Sequence, residues 1–158
     1  MTEYRALAVD DPEAHALLAA YFDERIATFP DPVGYTTTFP EPAAFVPPAG
    51  VFLVADVEGA SGVACGGIRR ISDDPDGGVR YEVKHLYVGP DGRGRGLGKA
   101  FLAELERRAR GFGADWAVLD TNASLTAAGG LYRSTGYEDV EPYNDNPNAT
   151  NWYRKPLR

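Results

Sequence analysis

The stretch GPDGRGRGLGKAF, residues 89–101, constrains the chain more than any other. Gly89, Gly92, Gly94, Gly96 and Gly98 fall within ten residues, beside Arg93, Arg95 and Lys99. Ahead of it, VRYEVKHLYV (79–88) alternates as a strand does. Behind it, Leu97, Phe101, Leu102, Leu105 and Ala109 recur at helical spacing, and Gly111 and Gly113 close the helix. A strand, a glycine loop and a helix in succession present unpaired N–H groups and the positive end of a helix dipole, with no Cβ to hold an anion away.

The remaining segments give that unit its surroundings. EYRALA (3–8) is expected as a strand, followed by a helix that Asp11 caps, with Pro12 in its first turn. Ala14, Leu17, Leu18, Tyr21, Phe22 and Ile26 form its apolar face, and Pro30 and Pro32 end it. Residues 30–50 are proline-rich and aperiodic, a long loop of the kind that either serves a function or simply connects. VFLVADV (51–57) and GVACGGIRRI (62–71) form a hairpin across EGAS, and SDDPDGG turns the chain into the strand before the glycine loop. DWAVLDT (115–121) is a short buried strand, SLTAAGGLYRST (124–135) a helix capped by Ser124, and the remainder two strands around a polar loop. No repeat or linker divides the 158 residues, so a single domain over 1–158 is expected, a mixed α/β (α+β) sheet covered by helices.

Composition narrows the function classes. A net charge of −7 argues against a general nucleic-acid binder, which needs a basic face, and suits a cationic substrate or plain solubility. Cys65 is the single cysteine, which rules out an internal disulfide. No segment reads as a signal peptide or a membrane span, and the expectation is a soluble cytoplasmic protein that does not engage membranes. His15 and His85 are far apart and no metal-ligand spacing is present, so no metal is expected. Ser61 lacks the second glycine of a nucleophile elbow, and Cys65 has no visible helper, so a covalent mechanism has no support.

Common glycine motifs fail on counting. For a P-loop, the glycine five before Gly98 is replaced by Arg93, and Lys99 is followed by Ala100. For a dinucleotide fingerprint, Gly92 and Gly94 are followed by Leu97, and Gly94 and Gly96 by Lys99. What remains is V-x-P-x-x-R-G-x-G-x-G, made by Val88, Pro90, Arg93, Gly94, Gly96 and Gly98. It resembles motif A of the GNAT superfamily of acetyl-CoA-dependent N-acetyltransferases, whose core is [R/Q]-x-x-G-x-[G/A]. LYRSTGY (131–137) resembles the family's L-Y-x-x-x-G-[F/Y], and the two motifs span roughly residues 80 to 140.

The resemblance implies the GNAT fold, with a central, mostly antiparallel sheet flanked by helices, and acetyl-CoA as co-substrate. The backbone of residues 94–99 would hold the CoA pyrophosphate, with Arg93, Gly94, Arg95, Gly96, Gly98 and Lys99 around it. Leu86 and Val88 would line the pantetheine arm between two splayed parallel strands, and a backbone N–H near Val88 would meet the developing oxyanion. Glu82 stands six residues before Val88, where histone-acetylating members carry their general base, and on a regular strand residues 82, 84, 86 and 88 share a face. A Glu82–Lys84 surface pair is the plainer alternative. Tyr132 matches the tyrosine beside the CoA sulfur, with an acid role or simple packing both open. Many members have an asparagine where this chain has Leu125; Asn122 either takes over that pantetheine contact or caps a turn.

For the acceptor, Tyr143, Asn144, Asp145 and Trp152 are candidate binding residues for a cationic, polar amine, with an Asx-capped turn as the alternative. The expected activity is direct acetyl transfer from acetyl-CoA to a primary amine of a small molecule or peptide. A non-catalytic acyl-CoA sensor on the same fold and, more weakly, a nucleotide-binding regulatory domain are the rivals. The family resemblance also makes a homodimer an expectation.

Overall fold

The computed structural model describes residues 1–31 and 34–158. Seven strands form one sheet: β1 (Glu3–Ala6), β2 (Gly50–Val57), β3 (Ala60–Arg70), β4 (Arg80–Val88), β5 (Trp116–Thr121), β6 (Glu138–Val140) and β7 (Asn151–Pro156). Their order is β1-β2-β3-β4-β5-β7-β6, and every pair is antiparallel except β4 with β5. Three helices, α1 (Pro12–Thr28), α2 (Leu97–Gly111) and α3 (Thr126–Ser134), complete the fold.

Apolar spacing decides which face each helix covers. The predicted stripe of α2, from Leu97 to Ala109, is wholly buried against Leu53, Ile68, Tyr81 and Val83. On the opposite face, α1 buries Ala14, Leu18 and Phe22 over Phe52, Val54 and Cys65. Asp11 caps α1 by accepting from the Glu13 N–H, as expected. Ile26 departs from expectation: it is 39% exposed, and the buried residues of α1 are Ala14, Leu18 and Phe22. Pro32, expected to help end this helix, lies outside the described residues. The proline-rich loop contributes a 3-10 turn, Pro42–Phe45, whose Phe45 packs edge-on against Phe52.

Other boundaries shift slightly. The first strand stops at Ala6, and the β2–β3 hairpin is tighter than EGAS suggests, turning at Glu58 and Gly59. Ser124 does not cap α3; Leu125 occupies that position with no side-chain bond, while the Asn122 Oδ1 accepts from the Ser124 N–H.

Two irregularities in β4 shape the region around its second half. Parallel pairing with β5 runs only from Arg80↔Trp116 to Glu82↔Val118, after which the strands part. The β5-facing backbone groups of the remaining β4 residues are thereby left without a neighbouring strand. On its other edge, Cys65 pairs with Tyr87 and Gly67 with Lys84, so Gly66 alone opposes His85 and Leu86. That bulge is accommodated by His85 at φ 59°. The extra residue reverses the alternation, so the expectation that residues 82, 84, 86 and 88 share one face is overturned. Val83, Leu86 and Val88 point to the α2 side, whereas Tyr87 meets Tyr21 of α1 and Glu82 meets Arg69 on that same α1 side.

Candidate active site

The glycine loop joins β4 to α2 with a 3-10 turn at Pro90–Gly92. Gly94 and Gly96 have φ of 78° and 69°, backbone that L side chains rarely adopt, and Gly96 is the N-cap of α2. An added Cβ at either would meet nothing within 4 Å, so the strain is conformational and the space outside is open. Gly92 is glycine for a different reason, since a Cβ there would lie 3.1 Å from Val88 and 3.2 Å from Leu97 and Val63. The first bond of α2 runs from the Ala100 N–H to the Gly96 carbonyl, so the preceding N–H groups point out of the helix start. Arg95 and Lys99 are exposed beside them. Arg93 bonds the Val88 carbonyl through Nε at 3.0 Å and pairs with Glu24 of α1 at 2.6 Å. This loop fits a pyrophosphate: an open surface, a helix N-terminus, and cations around it.

Beside the splay lies a cavity of about 440 Å³, between α1, the proline-rich loop, β4, β5 and the polar segment after β6. Leu86, Asn122, Tyr132 and Asn144 line it, as do Arg69, Lys84, His85 and Asp120. Tyr132 is 9% exposed and its ring packs with Tyr137 and Tyr153; burial raises its pKa, so the phenol keeps its proton. His85 is partly buried, and its Nδ1 is shielded from solvent and lacks any hydrogen-bond partner. Burial, then the cations Lys84 and Arg69, lower its pKa to about 3, and the imidazole is neutral.

Glu82 does not line the cavity. Only 1% exposed, it receives Arg69 Nε at 3.0 Å, the Tyr143 hydroxyl at 2.7 Å and Asn144 Nδ2 at 3.4 Å, with the Lys84 ammonium 3.6 Å away. Asn144 also donates to Asp120 at 2.7 Å and accepts from the Trp152 indole at 2.9 Å. Lys84 pairs with Asp120 at 3.0 Å. Burial disfavours the Asp120 carboxylate, but Lys84 and Asn144 outweigh it and hold it below the usual range. Burial, then Glu82, raises the Tyr143 pKa, keeping it a donor.

The predicted residues thus fall into three groups, with Asp145 apart from all of them. Arg93, Gly94, Arg95, Gly96, Gly98 and Lys99 gather at the loop, with Val88 at its root. Leu86, Asn122, Tyr132 and Asn144 meet in the cavity, though the Asn122 amide is already bonded to the Asn148 carbonyl and its oxygen to Ser124. Glu82, Tyr143 and Trp152 form the polar network behind the wall, and Asp145 is exposed outside the cavity. Sequence reasoning missed Arg69, Lys84, His85 and Asp120, because only the bulge and the splay bring them to one wall. Cys65 is fully buried with its thiol pushed up to about 12, which leaves no thiolate for a covalent step.

A sheet that splays beside a glycine-rich helix start, with a cavity at the gap, defines an acyl-CoA transferase type of fold. The acetyltransferase (GNAT) domain family matches residues 48–139, and the chain belongs to that family. It is 37% identical to an uncharacterized N-acetyltransferase of Schizosaccharomyces pombe over 102 residues, 64% of this chain and 60% of that protein. It is 36% identical over 92 residues to an IAA acetyltransferase of Azospirillum brasilense, 58% of this chain and 57% of that protein. The chain therefore spans about three fifths or less of these relatives' lengths. Among solved structures, a protein assigned as an acyl-CoA N-acyltransferase from Klebsiella pneumoniae aligns over 100% of this chain and 99% of its own at TM-score 0.74 and 28% identity. A GNAT family acetyltransferase from Elizabethkingia anophelis with acetyl-CoA bound shares the fold at TM-score 0.63 and 14% identity, covering 98% and 97% of the two chains. The family uses acetyl-CoA. Among the described residues no helix is long and apolar enough to cross a membrane.

Proposed function

We propose that the chain is an acetyl-CoA-dependent N-acetyltransferase that acts by direct transfer to a primary amine. The observation that carries the reading is the pair of left-handed glycines, Gly94 and Gly96, opening α2 at the end of a strand that has parted from its parallel neighbour. Backbone N–H groups from Gly94 to Lys99 would hold the pyrophosphate. Arg93 would exchange its pair with Glu24 for a phosphate oxygen. The unpaired β4 edge around Leu86 would hold the pantetheine amides and leave the acetyl group at the cavity.

The acceptor enters as the neutral amine, its ammonium proton released to solvent. Its nitrogen forms the C–N bond as the C–S bond breaks, and the proton it then carries in excess passes to water in the cavity. The thiolate takes a proton from Tyr132, which regains one from solvent. Tyr132 keeps its proton at neutral pH and offers it to the departing sulfur. For Glu82, the surroundings favour positioning over proton abstraction: a carboxylate that is 1% exposed and held by Arg69, Tyr143 and Asn144 fixes the cations of the cavity wall. Asn144 belongs to both that network and the cavity, and Tyr143 and Trp152 hold it in place.

A coupled assay of CoA release tests this reading. Tyr132→Phe is expected to lower kcat by about a hundredfold with acetyl-CoA affinity retained. A non-catalytic sensor would release no CoA with any amine, and equal kcat in the variant would remove Tyr132 from the chemistry.

A further inference from the structure

Resting on that reading, the cavity also specifies its acceptor. Its lining holds three cations, Arg25, Arg69 and Lys84, against two carboxylates, Glu41 and Asp120. Lys84 is spent on Asp120 and Arg69 on Glu82, and Glu41 stands exposed at the rim. Arg25 alone among these cations has no carboxylate partner among the described residues. Its guanidinium rests 5.1 Å from the centroid of the Tyr21 ring, half-buried, in the last turns of α1. His85 touches the same Tyr21 ring, 5.6 Å between centroids, with its Nδ1 unpartnered. Tyr21 thus contacts both the guanidinium of Arg25 and a neutral imidazole at the β4 bulge, where the acetyl group would arrive. Phe22, Phe29, Tyr35 and Phe39 add an apolar wall to the same cavity.

We propose that the acceptor is an amino carboxylate with an apolar or aromatic side chain: Arg25 receives its carboxylate, and its amine passes the Tyr21 ring to reach the His85 end of the cavity. An arginine fork matches a carboxylate in two parallel hydrogen bonds. A cationic amine without a carboxylate would leave Arg25 unpaired and repel it. This departs from the expectation, drawn from the net charge of −7, of a cationic acceptor: Lys84 and Arg69 are neutralised by Asp120 and Glu82, which leaves Arg25 as the cation of the lining available to an acceptor's carboxylate.

The test uses matched acceptors that differ only in the carboxylate: phenylalanine against phenethylamine, leucine against isoamylamine, methionine against 3-(methylsulfanyl)propylamine. The amino acid of each pair is expected to have the higher kcat/KM by roughly tenfold or more. Arg25→Met is expected to collapse that ratio toward one through KM, and Arg25→Lys to restore part of it, with unchanged thermal stability in both. Decarboxylated amines that are turned over as well as or better than the amino acids overturn the carboxylate site and leave acetyl transfer intact. An Arg25→Met effect that is equal on both members of each pair overturns it too. If no member of any pair releases CoA, the acetyl-transfer reading falls first and this proposal with it.

Discussion

His85 is the only non-glycine residue with a positive φ among the described residues, and its environment has a measurable signature. Histidine tolerates the left-handed region better than most side chains, which explains how a bulge could form here without glycine. Burial, reinforced by Lys84 and Arg69, lowers the folded pKa to about 3, against an unfolded value near ~6.5. Between those values the unfolded chain binds a proton that the folded chain does not. Stability from this residue is therefore complete above about pH 6.5 and is lost as pH falls toward 3. The depressed Asp120 carboxylate acts lower, contributing above its unfolded pKa of about 3.9 and losing that contribution as pH falls through its folded value. His85→Asn, which suits the same backbone region, is expected to flatten the loss of melting temperature between about pH 6.5 and 4. An unaltered slope would mean that the imidazole is solvated and charged in the folded protein.

At the scale of elements, the start of α2 joins fold and function in one feature. Gly96→Ala forces a Cβ into left-handed backbone at the N-cap and should cost about 1–2 kcal/mol of stability. Because the N–H groups after Gly96 are the expected pyrophosphate contacts, acetyl-CoA affinity should fall by more than tenfold. Calorimetric titration and thermal melts separate the two effects; unaltered affinity would move the phosphate site away from this helix start. That element was legible in the sequence, since glycine spacing, a preceding strand and the stripe Leu97–Ala109 are all local signals. The bulge was not. In VKHLYV the alternation breaks at Lys84 and His85, but two polar neighbours in a strand are too weak a signal to place an extra residue, and no glycine marks it. One undetected residue moved Glu82 from the expected face of Val88 to a buried network, and it brought His85 to the cavity. Ser124 as a cap failed for a related reason: Asn122 made its own Asx bond first and delayed the helix to Thr126.

Across the molecule, the sheet divides the labour. The α2 face carries the larger core cluster and the glycine-rich helix start, while the α1 face carries a smaller core cluster, the polar network and Arg25. Overall charge says little about such a cavity, because 23 acidic residues in the chain coexist with three cations inside one pocket. Tyr143, Asn144 and Trp152 stand out in the sequence by their polar and aromatic character and do meet through hydrogen bonds, but the Glu82 that Tyr143 meets lies 61 residues earlier on β4, beyond any local pattern. The most direct test of the central claim is a thermal melt of the protein with acetyl-CoA, CoA, ATP and NAD in parallel. Acetyl-CoA at a hundred times its dissociation constant should add about 2.7 kcal/mol, a rise in Tm of roughly 5–10 °C for a chain of this size, with CoA similar and ATP and NAD without effect. No shift with millimolar acetyl-CoA, or a larger one with ATP or NAD, would contradict the assignment of the glycine loop to the CoA pyrophosphate.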